Sequence, residues 1–387
     1  MLNRRYFLFA ASSLTLSSLI SGCSQDNALQ IFFLQNSIPP QLIASFRKKF
    51  SKSRNLLLKP KTNLKELFTL LQTWQGKNQA QKKAQKFSLP SFNFNQQKQQ
   101  IGDLVTIGHY WLPQAVKEEL IEPISLEKIT AWHKLSPLFS NLIQLNSQDN
   151  LDSQGKIWAA PYRWGFTMIA YRSDKFKNLG WTPTDWNDLG REELKHRISL
   201  LNQPREVIGL TLKKLGYSYN EKNLNNIPQL KSELIALNKQ VKFYDSTNYL
   251  QPLILGDTWL ALGWSSDILP IIKRYPNIKA IIPASGASLW ADLWVKPKNS
   301  HPMDSEIINQ WIDFCWQPES AQQIALFSNA SSPLLLSLNK SDLSQDILEN
   351  NLIYPEQKII EQSEFILPLP ENINEQYQQL WRQIRQV

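Results

Sequence analysis

The segment with the most chemical content is Trp290-Ala291-Asp292-Leu293-Trp294. On a strand, successive side chains alternate between faces, so Trp290, Asp292 and Trp294 share one face and a carboxylate lies between two indoles. That arrangement suits an organic ammonium: indole faces attract the cation through their quadrupole, and the carboxylate accepts its hydrogen bonds. The same pattern also describes a packed core strand whose aspartate pairs elsewhere. Trp259–Asp267 reads as a strand with Trp264 at its mouth, where ligands of α/β sheets bind. Asp267 just beyond it equally suits a helix cap. Glu206 falls in the first turn of a helix opened by Pro204, either as a capping carboxylate or as an acid projecting into a cleft. Tyr110-Trp111, past the strand that starts at Asp103, offers aromatic walls or simple packing.

Other chemistries find no support in the sequence. The two cysteines, Cys23 and Cys315, exclude a disulfide framework and any multi-cysteine metal site, and Cys315 in Trp311–Trp316 reads as a core thiol. His109, His133, His196 and His301 are scattered without metal-ligand spacing, so no metal and no cofactor is expected. There is no nucleophile elbow, phosphate loop or dinucleotide turn. A hydrolase acting through cleft carboxylates stays open as an alternative, as does a ferric site using Tyr162 and Tyr171. Either would be tested by turnover of a glycoside or ester panel, or by charge-transfer colour with iron.

These residues sit in a chain of 387, long enough for two ordinary domains, with 42 Lys+Arg against 33 Asp+Glu, a formal charge of +9. The charge is unevenly placed. Between Arg47 and Gln100 thirteen basic residues accompany Glu66 alone, so the rest of the chain beyond residue 22 is net negative. This basic region reads as a solvated face, with contact to anionic lipid as the alternative. Residues 76–100 within it are rich in Gln, Lys and Asn and read as a polar loop or insertion. Nucleic acid is not expected, because the basicity comes with neither a recognisable fold nor a tract of stacking aromatics.

Arg4-Arg5 precedes an uncharged stretch ending Ile20-Ser21-Gly22-Cys23. This is built like a bacterial export signal, residues 1–22, in which Arg4-Arg5 suits the twin-arginine route and is also tolerated by Sec signals, closed by what resembles a lipobox whose Cys23 would receive lipid. Further on, Leu29–Leu34, Asp103–Ile107, Trp158–Tyr171, Trp259–Trp264, Ala280–Pro283 and Leu289–Val295 read as strands. Gln41–Phe50, Leu112–Leu120, Pro204–Leu215, Ser305–Trp316 and Ala321–Phe327 read as helices. Their alternation predicts α/β domains with mainly parallel sheets.

Asp103-Leu104-Val105 with Tyr110-Trp111, Pro161-Tyr162-Arg163-Trp164-Gly165, Pro204-Arg205-Glu206-Val207 running into Leu215-Gly216-Tyr217-Ser218, Gly263-Trp264-Ser265 and Trp290-Ala291-Asp292 follow one another in a telling order. Together they resemble the periplasmic spermidine/putrescine-binding proteins of ABC importers, over nearly the whole chain beyond residue 22. The resemblance implies an α/β, two-lobed type II periplasmic-binding-protein fold with a hinge and an interlobe ligand cleft. Lobe 1 would be 23–165 plus 287–335, and lobe 2 would be 166–286 plus 336–387, with crossings near Gly165 and Gly286. It implies a non-enzymatic, monomeric lipoprotein of the periplasm that delivers small organic cations to an inner-membrane ABC permease. Tyr110 would be a wall of the cleft, Trp264 and Trp290 the sandwiching indoles, and Asp292 and Glu206 the amine acceptors. Gln203 stands in the binding set where the family carries an aspartate. Leu34-Gln35-Asn36-Ser37 replaces an aromatic and acidic segment, so the family acid at Asn36 is missing too. Asp257 or Asp267 would compensate, or the ligand is a shorter diamine or another small cation.

Overall fold

Short apolar runs bounded by Pro, Gly and Asn become strands in the structure, a computed structural model that describes residues 28–50, 56–77, 101–126, 129–146, 150–300 and 305–386. The export signal, Cys23 and most of the 76–100 loop lie outside the described residues. In chain order the strands are β1 (Leu29–Leu34), β2 (Leu56–Lys61), β3 (Leu104–Gly108), β4 (Ile121–Glu122), β5 (Gln144–Leu145), β6 (Lys156–Ile157) and β7 (Ala160–Arg172). They continue with β8 (Ile198–Leu200), β9 (Val241–Tyr244), β10 (Leu260–Trp264), β11 (Ile278–Ile281), β12 (Ser288–Pro297) and β13 (Glu364–Phe365).

The main sheet runs β2-β1-β3-β12-β7-β10-β8-β9. The strand common to its two halves is β7. The first half of this strand pairs with β12, with Trp290 opposite Gly165 and Asp292 opposite Arg163. The second half pairs with β10, with Trp264 opposite Thr167. One strand therefore belongs to two half-sheets. The flanking sets β1-β2-β3 and β8-β9-β10 are parallel as expected. The pairings of β7 with β10, β11 and β12, and of β12 with β3, are antiparallel. The sheet is therefore mixed: β7 and β12 link the two halves, and each joins a parallel set running the other way.

Pro161 and Gly165 do not interrupt β7. The register shifts from Asp292↔Arg163 to Leu293↔Pro161, which makes Tyr162 the extra residue of a bulge, the setting where a strand tolerates proline. The freed Pro161 carbonyl accepts the Trp316 indole N–H at 2.7 Å. Gly165 is required by crowding: a Cβ there would sit 2.1 Å from Ser265 Oγ and 2.7 Å from Trp290 Cζ2.

Helices cover the sheet where their apolar stripes dictate. Leu64–Trp74 starts at Asn63, whose side chain accepts the Glu66 N–H, and buries Leu67, Phe68, Leu70 and Leu71. Trp164, Trp294, Trp311 and Trp316 lie in the core, with Tyr162 stacked on Trp294 at 4.1 Å. Trp294 is thus committed to packing. Cys315 is buried there, and burial pushes its thiol far up, as befits an inert core thiol. A smaller core of Leu269, Ala321, Ala325, Leu335, Ile347 and Ile353 fastens the chain after Pro318 onto the Ser265–Arg274 helix.

Candidate functional site

The β7–β12 pair carries the candidate site as three cross-strand rungs on one face: Thr167 with Ser288, Gly165 with Trp290, and Arg163 with Asp292. Same-face residues two apart are spaced by two strand rises, so the outer rungs are roughly 13 Å apart. A carboxylate stands at each end.

At the first end is Glu206. Its helix, Pro204–Lys214, begins after Gln203 in an extended conformation, and no side chain caps it. The capping reading of Glu206 is therefore not realised; the carboxyl turns to the sheet instead. Trp264 Nε1 donates to Oε1 at 3.3 Å, Ser288 Oγ donates to Oε2 at 2.6 Å, and Thr167 Oγ1 lies 3.1 and 3.2 Å from the two oxygens. Ser288 and Thr167 hydroxyls are themselves 2.7 Å apart. Two hydroxyl protons and one indole proton thus serve a carboxylate with about four acceptor positions, which leaves room for a further donor. Glu206 is buried, and burial raises its pKa, partly offset by the donors from Ser288, Trp264 and Thr167 and by the charge of Arg205.

Trp264 is the last residue of β10 and is half-buried. Tyr249 braces it: the phenol accepts the Trp264 backbone N–H at 3.3 Å, donates to Asp267 Oδ2 at 2.7 Å, and its ring meets the indole edge-on. Asp267 is therefore engaged by Tyr249 rather than capping its helix. Asp257 is exposed after Gly256.

At the other end is Asp292, almost wholly buried. Arg163 Nε donates to its Oδ2 at 2.5 Å, and Arg163 Nη1 donates to the Ser328 carbonyl at 3.1 Å. The guanidinium also lies over the Trp290 ring, 5.4 Å from its centroid. Burial pushes the Asp292 carboxyl up, and the Arg163 charge beside it pulls it back. The carboxylate that the strand pattern offered to a ligand ammonium is thus already facing a cation of the protein.

The structure brings Glu206 and Trp264 into direct contact, with Trp290 and Asp292 further along the same ribbon. Tyr110 is 38% exposed on the turn His109–Trp111, directly after β3, whose last residue Gly108 is opposite Asp292. Gln203 is exposed, one turn before Glu206. Asn36 is exposed in the turn after β1 with φ 65°, a conformation asparagine tolerates, and next to it Ser37 Oγ accepts from Tyr162 at 2.8 Å. Sequence reasoning missed Arg163, Thr167, Ser288 and Tyr249. Arg163 alone left a signal: an ionisable residue in an otherwise apolar strand demands a partner.

Among the described residues no group of three or more His, Cys, Asp or Glu side chains could hold a metal ion. A separate concavity of about 530 Å³ is lined by Lys195, His196, Lys239, Lys242 and Arg385. Its charge is wrong for an organic cation. No helix among the described residues is long and apolar enough to cross a membrane.

The chain is similar to the spermidine/putrescine-binding periplasmic protein of Salmonella typhimurium, 25% identical over 358 residues, which covers 92% of each chain. It is 27% identical to the putrescine-binding periplasmic protein PotF of Escherichia coli over 274 residues, 65% of this chain and 70% of PotF. Among solved structures, the spermidine/putrescine ABC transporter substrate-binding protein PotD from Streptococcus pneumoniae aligns with a TM-score of 0.76 at 21% identity, over 93% of this chain and 99% of that one. The likeness establishes the two-lobed α/β fold of periplasmic binding proteins, in which β7 is shared by both half-sheets. Residues 99–363 match the family described as bacterial extracellular solute-binding protein, and the chain belongs to that family.

Proposed function

We propose that this solute-binding protein captures a putrescine- or spermidine-like organic cation between its lobes and delivers it to an ABC permease. The observation that carries the reading is Glu206: a buried carboxylate, touched by the Trp264 indole, at the point where β7 changes partners. An ammonium bound there gains a charge-assisted hydrogen bond away from water, beside an aromatic face. The names of the relatives point to the same class of ligand.

In this reading Glu206 accepts the amine and Trp264 and Trp290 flank the carbon chain. Tyr110 and Gln203 line the approach, and Asp292 shapes the far end. The lobes are 23–165 plus 287–335 and 166–286 plus 336–387. Ligand contacts from both favour the closed form, since a solute shifts such an equilibrium only by its differential affinity for the two states. The role is non-catalytic and the protein acts as a monomer. It is exported through residues 1–22 and held at the membrane by lipid on Cys23.

The test is calorimetric titration of the chain from residue 24 onward with putrescine, spermidine, spermine and their mono-N-acetyl derivatives. Saturable binding of at least one amine in the micromolar range or tighter is expected. Absence of heat with every one of them, from protein shown to be folded, would overturn the reading.

A further inference from the structure

Resting on that assignment of the Glu206 end as an amine site, the other end of the ribbon narrows the class of solute. Two features there would hold a second ammonium: the Asp292 carboxylate and the Trp290 ring face. Arg163 sits on both, 2.5 Å from Asp292 Oδ2 and 5.4 Å from the Trp290 centroid, and a third contact, to the Ser328 carbonyl at 3.1 Å, fixes it in place. Arg163 is itself buried, 4% exposed, on the central strand of the sheet. Opposite it in register is Asp292, so the pair is built into the strand alignment rather than made by a wandering surface chain.

We propose that Arg163 acts as a built-in cation that makes the site select a solute with one ammonium, bound at Glu206, and an uncharged hydrogen-bond-accepting far end, as in a mono-N-acylated diamine.

The argument is one of charge and of donors. An arginine stays charged under all ordinary conditions and offers N–H donors but no acceptor. A second ammonium reaching this rung would meet a like charge and a group unable to accept from it. Displacing Arg163 instead would strand one buried charge or the other, which costs more than the new contact returns. An amide carbonyl at the same place would face donors and carry no charge. The positions that would offset a second ammonium do not do so: position 203 is an exposed glutamine, Asp267 is engaged by Tyr249, and Asp257 is exposed.

The experiment compares putrescine with N-acetylputrescine by calorimetry at neutral pH, on the wild-type chain from residue 24, on Arg163→Met, and on Arg163→Met/Asp292→Asn. The wild type is expected to favour N-acetylputrescine by about tenfold or more. In Arg163→Met the uncovered Asp292 should reverse the preference toward putrescine by a similar factor. The double variant, with neither charge, should lose that reversal, and it guards against the single variant failing to fold around an unpaired carboxylate. Wild-type protein that binds putrescine as tightly as the acetylated amine would overturn the proposal. The amine site itself would still stand if Glu206→Gln removed both. If no amine binds the folded wild type, the function and this inference fall together.

Discussion

Ser288 Oγ lies 2.6 Å from Glu206 Oε2, joining the start of β12 to the first turn of the Pro204–Lys214 helix across 82 residues of sequence. The contact fixes a carboxylate in a buried place that would otherwise reject its charge. In the proposed function such a group serves binding at the expense of the empty protein's stability.

Glu206→Gln separates those two effects. Loss of the charge should weaken amine binding by roughly ten- to a hundredfold, the range of a hydrogen bond to a charged group. The empty protein should become more heat-stable near pH 7. The sign follows from burial raising the Glu206 pKa above its ordinary 4.5. Its contribution to stability is whole below that value and is lost as pH rises through the raised pKa. Thermal melting of both proteins between pH 4 and 8 should give curves that meet at the acid end and diverge above it in favour of the variant. Curves that stay parallel would mean that Glu206 is not strained by burial.

Asp292→Asn tests the opposite situation, a buried charge already matched. Removing the carboxylate leaves the Arg163 guanidinium buried without its counter-charge, a change of the type that costs about 3–5 kcal/mol. Urea unfolding should show a loss of that order. Arg163→Met combined with Asp292→Asn should recover much of it, since removing both charges spares the desolvation that each suffers alone. A double variant no more stable than Asp292→Asn would show that the pair is not the reason for the loss.

How much of this was legible in the sequence depends on the range of the contact involved. Trp290, Asp292 and Trp264 could be placed because period two and strand ends are local properties, and β1, β3, β7, β10 and β12 were all anticipated to within a few residues. Arg163 could be seen but not paired, because its partner is 129 residues away and is set by the register of β7 against β12. Nothing in one strand reports that register. Thr167 and Ser288 were invisible for a different reason: small hydroxyl residues occur on strands of every kind, and they matter here only because Glu206 arrives from a third element. Trp294 does share a face of β12 with Asp292, but the bulge at Tyr162 brings that ring beneath it and turns the second indole into core. β2 escaped notice because Lys59, Pro60 and Lys61 break its apolar pattern, as befits the edge of a sheet. β8 and β9 are three and four residues long, below what periodicity can resolve.

His109 gives the acid limb of the stability profile a specific source. The ring lies under β12, with Nδ1 3.3 Å from the Ala291 N–H and Nε2 3.1 Å from the Ile366 carbonyl. Those partners assign the tautomer: Nδ1 accepts and Nε2–H donates, so the ring is neutral. Burial lowers its pKa from 6.5 to about 4, and a proton added at Nδ1 would point at the Ala291 N–H it now serves. As pH falls, the unfolded chain therefore takes up this proton first. The stability that rests on neutral His109 is complete above pH 6.5 and drains away between there and about pH 4, by up to about 3 kcal/mol. His109→Gln keeps an acceptor and a donor but cannot titrate. Melting temperatures measured from pH 4 to 7 should fall more steeply in the wild type than in this variant, whose flatter curve identifies the histidine. Equal slopes would assign the acid sensitivity to carboxylates such as Asp188, whose pKa is lowered by hydrogen bonds from Thr184, Asp185 and Arg191.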